Sequence, residues 1–115
     1  MTKRKKYIEK NEFRFNFAEK HKNYVFAETK DGKYIGVGIT HESTTFSKPN
    51  MPLEKNPQKG KTEESYIRNG IVTDKKRLYG RPLKNYSFSE NDFPKVKSKI
   101  RNYKKRQKKG QKKGK

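Results

Sequence analysis

Hydrophobic and polar residues alternate with a period of two near the start of the chain, which is typical of a β-strand with one buried face. In the segment FRFNF, residues 13–17, three phenylalanines alternate with Arg14 and Asn16. The segment therefore predicts a strand whose buried face is aromatic. Residues 1–10, which precede it and include the run KRKK, are expected to form a basic N-terminal arm.

The clearest pattern along the chain is that of a β-hairpin in NYVFAETKDGKYIGVGIT, residues 23–40. Asp31 and Gly32 suit the two positive-φ positions of a type I′ turn. Strands are therefore predicted on the two sides of this turn, over residues 23–30 and 33–40.

The register of this hairpin follows from a two-residue turn, which pairs Ala27 with Gly36 and Tyr24 with Ile39. Side chains two residues apart share a face of the sheet. The predicted core face consists of Tyr24, Phe26, Ile35, Val37 and Ile39. On the opposite face, Gly36 and Gly38 are interpreted as the sign of a strongly coiled sheet, because glycines inside strands mark bulges, sharp coiling or close backbone approach.

Shorter elements are predicted in the second half of the chain. Residues 47–64 contain three prolines and little periodicity, which indicates a long loop with a short edge strand at 51–53. Further strands are expected at 66–72 and 85–89, where apolar residues recur between Gly, Pro and Asn.

A helix is predicted over about residues 94–103, capped by Ser89 or Asp92. Its apolar stripe consists of Phe93, Val96, Ile100 and Tyr103. Residues 104–115 contain no apolar anchor and are expected to form a disordered Lys-rich tail. The sequence thus predicts one small domain over residues 11–103, α+β or mainly β, with a coiled antiparallel sheet or small barrel and one C-terminal helix.

The composition indicates a nucleic-acid partner. Only 27% of the 115 residues are hydrophobic and 38% are charged, so the core must be small and must draw on the seven Phe and seven Tyr. The 32 Lys and Arg against 12 Asp and Glu give a net charge of +20, which attracts polyanions. Residues 97–115 hold eleven of these cations and no acid, yet residues 1–96 are still basic.

Other classes of protein are disfavoured. There is no cysteine, so disulfides and thiolate metal sites are excluded. No apolar run approaches the roughly 20 residues of a membrane span, and no secretory leader is recognisable, so no membrane partner and a cytoplasmic location are expected. The segment GKT at 60–62 lacks the earlier glycine of a phosphate-binding loop, because residue 55 is Lys55. No cofactor is expected.

Basic clusters define the predicted nucleic-acid-binding positions. These positions are Lys3, Arg4, Lys5, Lys6, Arg68, Arg77, Arg81, Lys97, Arg101, Lys104, Lys105 and Arg106. Cations neutralise phosphates without reading sequence. Tyr66, Tyr79 and Tyr86 lie near arginines and are candidates to stack on unpaired bases, which favours RNA over DNA. The alternative to nucleic-acid binding is that the Lys-rich tail only keeps the protein soluble.

The segment THESTTF, residues 40–46, contains the side chains that metal-independent RNA cleavage needs, namely a base, an acid and donors to the phosphate. The candidate catalytic residues here and just after it are Thr40, His41, Ser43 and Lys48. The alternative is an ordinary polar loop. His21, the second histidine, is interpreted as a turn residue, and no metal site is expected because neither histidine stands in a ligand motif.

The run GKYIGVGITHESTTFSKPNMPL resembles the corresponding stretch of PemK/MazF-like and ToxN-like endoribonuclease toxins, and RPLKNYSFSENDFPKVKSKI is similar to their closing strand and C-terminal helix. The resemblance implies an SH3-like barrel that cleaves RNA without metal. By this resemblance Thr40 and Ser43 correspond to the hydroxyl pair and Lys48 or Lys33 to the cation. It also implies a neutralising antitoxin RNA or protein as partner.

Three functions are therefore expected, in this order. The first is a small basic nucleic-acid-binding protein, with RNA favoured over DNA. The second is a metal-independent endoribonuclease toxin of a toxin–antitoxin or phage-defence system. The third is a structural component that neutralises charge in a nucleoprotein and needs no reactive loop. The sequence does not define the oligomeric state or the target.

Overall fold

An antiparallel sheet with one C-terminal helix forms the protein, and the computed structural model describes residues 7–113, with side chains for residues 8–105. The strands are β1 Tyr7–Asn16, β2 His21–Thr29, β3 Lys33–Thr40, β4 Thr44–Thr45, β5 Lys48–Pro49, β6 Met51–Pro52, β7 Tyr66–Ile67 and β8 Val72–Lys75; a 3₁₀ helix spans Lys76–Leu78 and helix α1 spans Asp92–Lys113. The predicted mainly-β architecture with a C-terminal helix is confirmed. Residues 7–10 were predicted to belong to a basic arm, but they form the start of β1, because they pair with β2. The arm residues Lys3 to Lys6 lie outside the described part.

The main sheet has the order β1–β2–β3–β7–β6, and β8 pairs with the other end of β3. Strands β4 and β5 form a separate two-stranded hairpin. Helix α1 covers one face of the main sheet, where Val96 is fully buried and Tyr103 meets Phe26 edge-on at a ring-centroid distance of 5.9 Å. A smaller cluster of Val25, Tyr34 and Tyr79 covers the opposite face.

The predicted core face of the β2–β3 hairpin is confirmed, because all five of its side chains are buried. The predicted register is wrong. The turn has three residues, Lys30 to Gly32, and only Gly32 has a positive φ, of 85°. A bulge at Phe26 then shifts the pairing again, so that Val25 lies opposite Gly36. The longer turn and the bulge each move the register by one residue.

The two strand glycines are needed for close packing. A Cβ atom on Gly36 would lie 2.7 Å from the backbone oxygen of Tyr24, and a Cβ on Gly38 would lie 2.7 Å from Cδ of Arg68. Gly38 thus leaves the space in which the Arg68 side chain reaches Glu19, with 3.2 Å between Nη1 and Oε2. Close approach of neighbouring groups therefore accounts for both glycines.

Two of the shorter predicted strands differ from the structure. The strand expected at 66–72 is divided into β7 and β8, because the backbone N–H of Asn69 bonds to the side chain of Asn50. The strand expected at 85–89 is absent, and Tyr86 forms only one isolated bridge, with Gln58. Asn85 has a φ of 66°, which is incompatible with an extended strand.

Helix α1 begins earlier and ends later than predicted. At its start, the backbone N–H of Asp92 donates to Oγ of Ser89 at 3.1 Å, so the predicted cap is present. At its end, the described backbone is helical through Lys113, whereas residues 104–115 were predicted to be disordered. The physical reason is that Lys, Arg and Gln are good helix formers and no proline interrupts them. Within residues 7–113, no helix is both long and apolar enough to cross a membrane.

Replacing Gly32 by alanine is expected to lower the stability of the fold by about 1–2 kcal/mol, because a residue with a Cβ is strained at positive φ. Gly70→Ala is the matched control, since a Cβ there also meets open space but without a positive φ. We expect it to leave the melting temperature unchanged or slightly raised. Equal melting curves for the two variants would contradict the turn geometry.

Candidate functional site

The segment after β3 folds into a small hairpin with an unusual turn. Strands β4 and β5 form its two arms, and Phe46 and Ser47 form its turn with φ values of 53° and 65°. Two successive residues at positive φ are characteristic of a type I′ turn. The conformation costs about 1–2 kcal/mol for each residue that has a side chain, so other interactions must hold it.

Asn50 holds this hairpin from the inside. Its side chain is buried, and Nδ2 donates to the carbonyl oxygen of Glu42 at 3.0 Å and to Oγ1 of Thr45 at 2.8 Å. Its Oδ1 accepts a hydrogen bond from the backbone N–H of Asn69 at 2.9 Å. One buried amide therefore connects the start of the hairpin, its first arm and the segment after β7.

Asn69 holds both arms from the other side. Its Nδ2 donates to the carbonyl oxygens of Thr45 at 3.0 Å and Lys48 at 3.1 Å. Its own carbonyl oxygen accepts from Nζ of Lys99 at 3.3 Å, which links the hairpin to α1. The hydroxyl-rich segment is thus a firmly supported structural unit.

The four candidate catalytic residues separate into two pairs. Thr40 and His41 lie at the end of β3 and line a pocket of about 300 Å³. Ser43 and Lys48 are exposed on the hairpin and do not line this pocket. The Thr40 hydroxyl is buried and its oxygen accepts the N–H of Glu42 at 3.2 Å. The hydroxyl pair implied by the resemblance is therefore not gathered in one pocket.

The pocket contains both histidines of the chain. His21 lines it together with His41, and Lys20 and Lys22 supply positive charge at its wall. Nζ of Lys22 also lies 5.7 Å from the ring centroid of Tyr86, which closes another side. Two imidazole rings and two cations thus line one cavity together with Glu42, and imidazole and ammonium groups are suitable for acid–base work on a phosphate.

His21 is the site residue that the sequence did not reveal, and its interpretation as a turn residue is wrong. It is the first residue of β2 and pairs with Asn16 of β1. Because the observed register sets Lys22 opposite Ile39, the next residues along the two strands are His21 and Thr40. The sequence would have placed His21 beside Thr40 only if the turn length and the bulge had been predicted correctly.

The tautomer of His41 is set by a backbone partner. Its Nδ1 lies 2.8 Å from the carbonyl oxygen of Glu64. A carbonyl oxygen only accepts hydrogen bonds, so Nδ1 carries the hydrogen. In the neutral ring, Nε2 then has the free lone pair and can accept a proton from a bound molecule.

Apart from Arg68, the predicted basic positions in the described part of the chain lie on α1 and around the 3₁₀ helix. Exposed cations at the spacing of one helix face lie on α1, namely Lys97, Arg101 and Lys105. Lys104, on the same helix, lies 3.7 Å from the carboxylate of Glu9. Exposed cations also lie in and after the 3₁₀ helix, namely Arg77 and Arg81. Arg106 belongs to the helical backbone of α1.

Arg68 differs from the other predicted cations, because its half-buried side chain packs over Gly38 and pairs with Glu19. We therefore assign it a structural contact. The three tyrosines proposed for base stacking also differ from one another, and only two of them reach the surface.

Tyr79 is a core residue. Its hydroxyl donates to Oδ1 of Asn23, and burial raises its pKa to about 12. Tyr66 is half-buried, and its hydroxyl donates to Oε1 of Glu64 at 3.2 Å, a hydrogen bond that raises the pKa of Tyr66. Tyr86 is half-buried beside Phe13, with 5.5 Å between the ring centroids. Tyr66 and Tyr86 are therefore both partly exposed, unlike Tyr79.

In the part of the chain that the structure describes, no three or more His, Asp or Glu side chains are grouped so that they could hold a metal ion. Comparisons with protein-family models, with curated proteins and with solved structures give no significant match to this chain.

Proposed function

We propose that this is a cytoplasmic nucleic-acid-binding protein that prefers RNA to DNA. The observation that carries the proposal is the stripe of exposed cations on α1, in a chain with a net charge of +20. Lysines and arginines along one helix face lie at spacings at which they meet successive phosphates, and their binding releases condensed counterions. Preference for RNA rests on the half-buried Tyr66 and Tyr86, on which unpaired bases can stack.

The salt dependence of binding tests this proposal. Each phosphate contact contributes about −0.7 to the slope of log K against log salt for a single strand. We expect the triple variant Lys97→Gln, Arg101→Gln, Lys105→Gln to flatten the slope by about 2, because three contacts are lost. The measurement is a titration of a labelled single-stranded oligoribonucleotide at several salt concentrations.

A matched control removes the same charge from elsewhere. The exposed lysines of the long loop, Lys55, Lys59 and Lys61, are replaced by glutamine in the control variant. We expect it to keep the slope of the wild-type protein. If both triple variants changed the slope equally, the binding would depend on net charge alone and the assigned helix face would be refuted.

We propose a metal-independent endoribonuclease as a second candidate function, and the observation that favours it is the pocket with both histidines. One imidazole would take the proton from a ribose 2′-hydroxyl, whose oxygen attacks the adjacent phosphorus. The other would protonate the departing 5′-oxygen, leaving a 2′,3′-cyclic phosphate and a free 5′-hydroxyl. Lys20 and Lys22 would stabilise the charge that builds on the phosphate.

The toxin-like features implied by the resemblance belong to this second proposal. They are closure of the sheet into an SH3-like barrel, and neutralisation by an antitoxin RNA or protein. The antiparallel order β1–β2–β3–β7–β6 and the C-terminal helix support this second proposal at the level of architecture. A structural nucleoprotein component, the third function, would bind RNA in the same way and would leave it intact.

A further inference from the structure

The tip of the β4–β5 hairpin carries an aromatic ring that is almost fully exposed to solvent. The side chain of Phe46 is 88% exposed, compared with 60% for Ile8 and 57% for Phe17, the other large hydrophobic residues on the described surface. Phe17 also packs edge-on against Phe15, with 5.2 Å between the ring centroids. Phe46 therefore exposes more apolar surface than folding explains in a chain with few hydrophobic residues.

The backbone at this tip favours a different residue. Asn and Gly are the residues that suit the two positive-φ positions of a type I′ turn, whereas Phe46 and Ser47 occupy them here. A bulky residue at positive φ is an outlier, and such outliers cluster at functional sites, where the surrounding structure holds them in place. Neither burial nor turn geometry accounts for a phenylalanine at position 46.

The support beneath the ring is rigid. Five hydrogen bonds from the amides of Asn50 and Asn69 fix the two arms and the segment before them. The orientation of the tip is thus set before any partner binds, which lowers the entropic cost of binding.

The chemistry around the tip indicates what the ring contacts. Lys48 lies on the arm that follows the turn, and the exposed residues Ser43, Thr44 and Ser47 lie in or next to the same hairpin. These groups suit a phosphate, and the ring suits a flat apolar face. Single-stranded nucleic acid presents both at the spacing of one nucleotide, whereas insertion into a lipid surface needs a continuous apolar patch, which the polar neighbours of Phe46 do not provide.

We propose that Phe46 is a stacking residue that binds one unpaired base of single-stranded RNA, with Lys48 at the adjacent phosphate. This inference rests on the proposed nucleic-acid binding and adds to it a contact that α1 does not supply. It also implies a preference for unpaired over base-paired RNA, because a base inside a duplex has no free face.

Two variants at position 46 test the inference. The chain contains no tryptophan, so Phe46→Trp introduces a single tryptophan at the tip, whose fluorescence can be excited selectively over that of the seven tyrosines. We expect a single-stranded oligoribonucleotide to quench this fluorescence. Phe46→Asn removes the ring and suits positive φ, so we expect an unchanged or higher melting temperature and an affinity for single-stranded RNA lower by roughly 5- to 150-fold. Blunt duplex RNA should bind the two proteins equally.

Phe17→Asn is the control, because it also removes a partly exposed ring. It is expected to change the affinity less than twofold. Equal losses of RNA affinity in Phe17→Asn and Phe46→Asn would overturn the inference. Wild-type RNA affinity of Phe46→Asn would also overturn it. So would tryptophan fluorescence of Phe46→Trp that is not quenched when RNA is bound. A blue shift of Phe46→Trp with phosphatidylcholine–phosphatidylserine vesicles, without quenching by RNA, would also overturn it in favour of a membrane contact. Absence of RNA binding by the wild-type protein would instead refute the proposed function itself.

Discussion

If the endoribonuclease proposal is right, replacing either histidine of the pocket by alanine is expected to slow RNA cleavage by roughly 10²–10⁴-fold, because that proposal assigns one of the two proton transfers to each ring. RNA affinity should stay close to that of the wild-type protein, since the proposed binding contacts to phosphate come from α1 and Lys48. The measurement is the rate of appearance of cyclic-phosphate ends from single-stranded RNA in EDTA.

The control for this prediction comes from the hairpin. Ser43 and Lys48 were predicted to be catalytic from the sequence and lie outside the lining of the pocket. Ser43→Ala and Lys48→Ala are therefore expected to leave the cleavage rate of bound RNA within about twofold, although Lys48→Ala should weaken binding. RNA that stays intact with the wild-type protein, over several sequences and across the neutral pH range, would end the endoribonuclease proposal and leave the binding proposal standing.

Replacing Asp92 by alanine is expected to destabilise the fold by about 3 kcal/mol, since each backbone hydrogen bond to a charged carboxylate contributes about 1.5 kcal/mol. The carboxylate is fully buried at the start of α1, and it accepts the backbone N–H groups of Glu54 at 2.7 Å and Lys55 at 3.1 Å. Nζ of Lys95 lies 3.2 Å away. A loss of this size should lower the melting temperature by more than about 10 °C.

Glu90→Ala is the matched control, because it removes an exposed acid from just before the same helix. It is expected to change the stability by less than about 0.5 kcal/mol. A comparable loss in the two variants would mean that charge near the helix start, and not the contacts of Asp92, stabilises the fold.

The pH dependence of stability gives a second measurement on Asp92. Burial alone would raise the pKa of this carboxyl group, but the N–H groups of Glu54 and Lys55, together with Lys95, hold the pKa below its ordinary value. The folded state therefore gains stability from the ionised carboxylate above about pH 4, and loses it as the pH falls through the lower folded-state pKa. The difference in stability between the wild-type protein and Asp92→Asn should shrink over that acidic range.

The faces of the main elements were readable from the sequence, but their exact pairing was not. Alternation in β2 and β3 and the helical spacing of Val96, Ile100 and Tyr103 identified the buried side chains, because burial follows directly from periodicity. The bulge at Phe26 could not be predicted, since it depends on how the strand packs against its neighbours. Beyond the bulge, the longer turn and the bulge together displace the pairing by two residues, which leaves the buried faces intact and changes every cross-strand neighbour.

The candidate site was affected by this displacement. Thr40 and His41 were proposed as site residues because they lie where a strand ends, whereas His21 comes close to them only through the observed pairing of β2 with β3. Asn50 and Asn69 were missed for another reason. An asparagine in a loop rich in Pro and Gly is typical of any turn, and only the folded chain shows that these two amides support the hairpin.

The contacts of Asp92 also bear on the order in which a nascent chain can fold. Strands β1, β2 and β3 pair with their neighbours in sequence, so this meander can form as soon as residue 40 has been synthesised. The loop at Glu54 and Lys55 depends on a carboxylate that lies 38 and 37 residues further on. That loop can therefore take up its final position only after the chain has been extended to the start of the helix, which makes its docking a late step in folding.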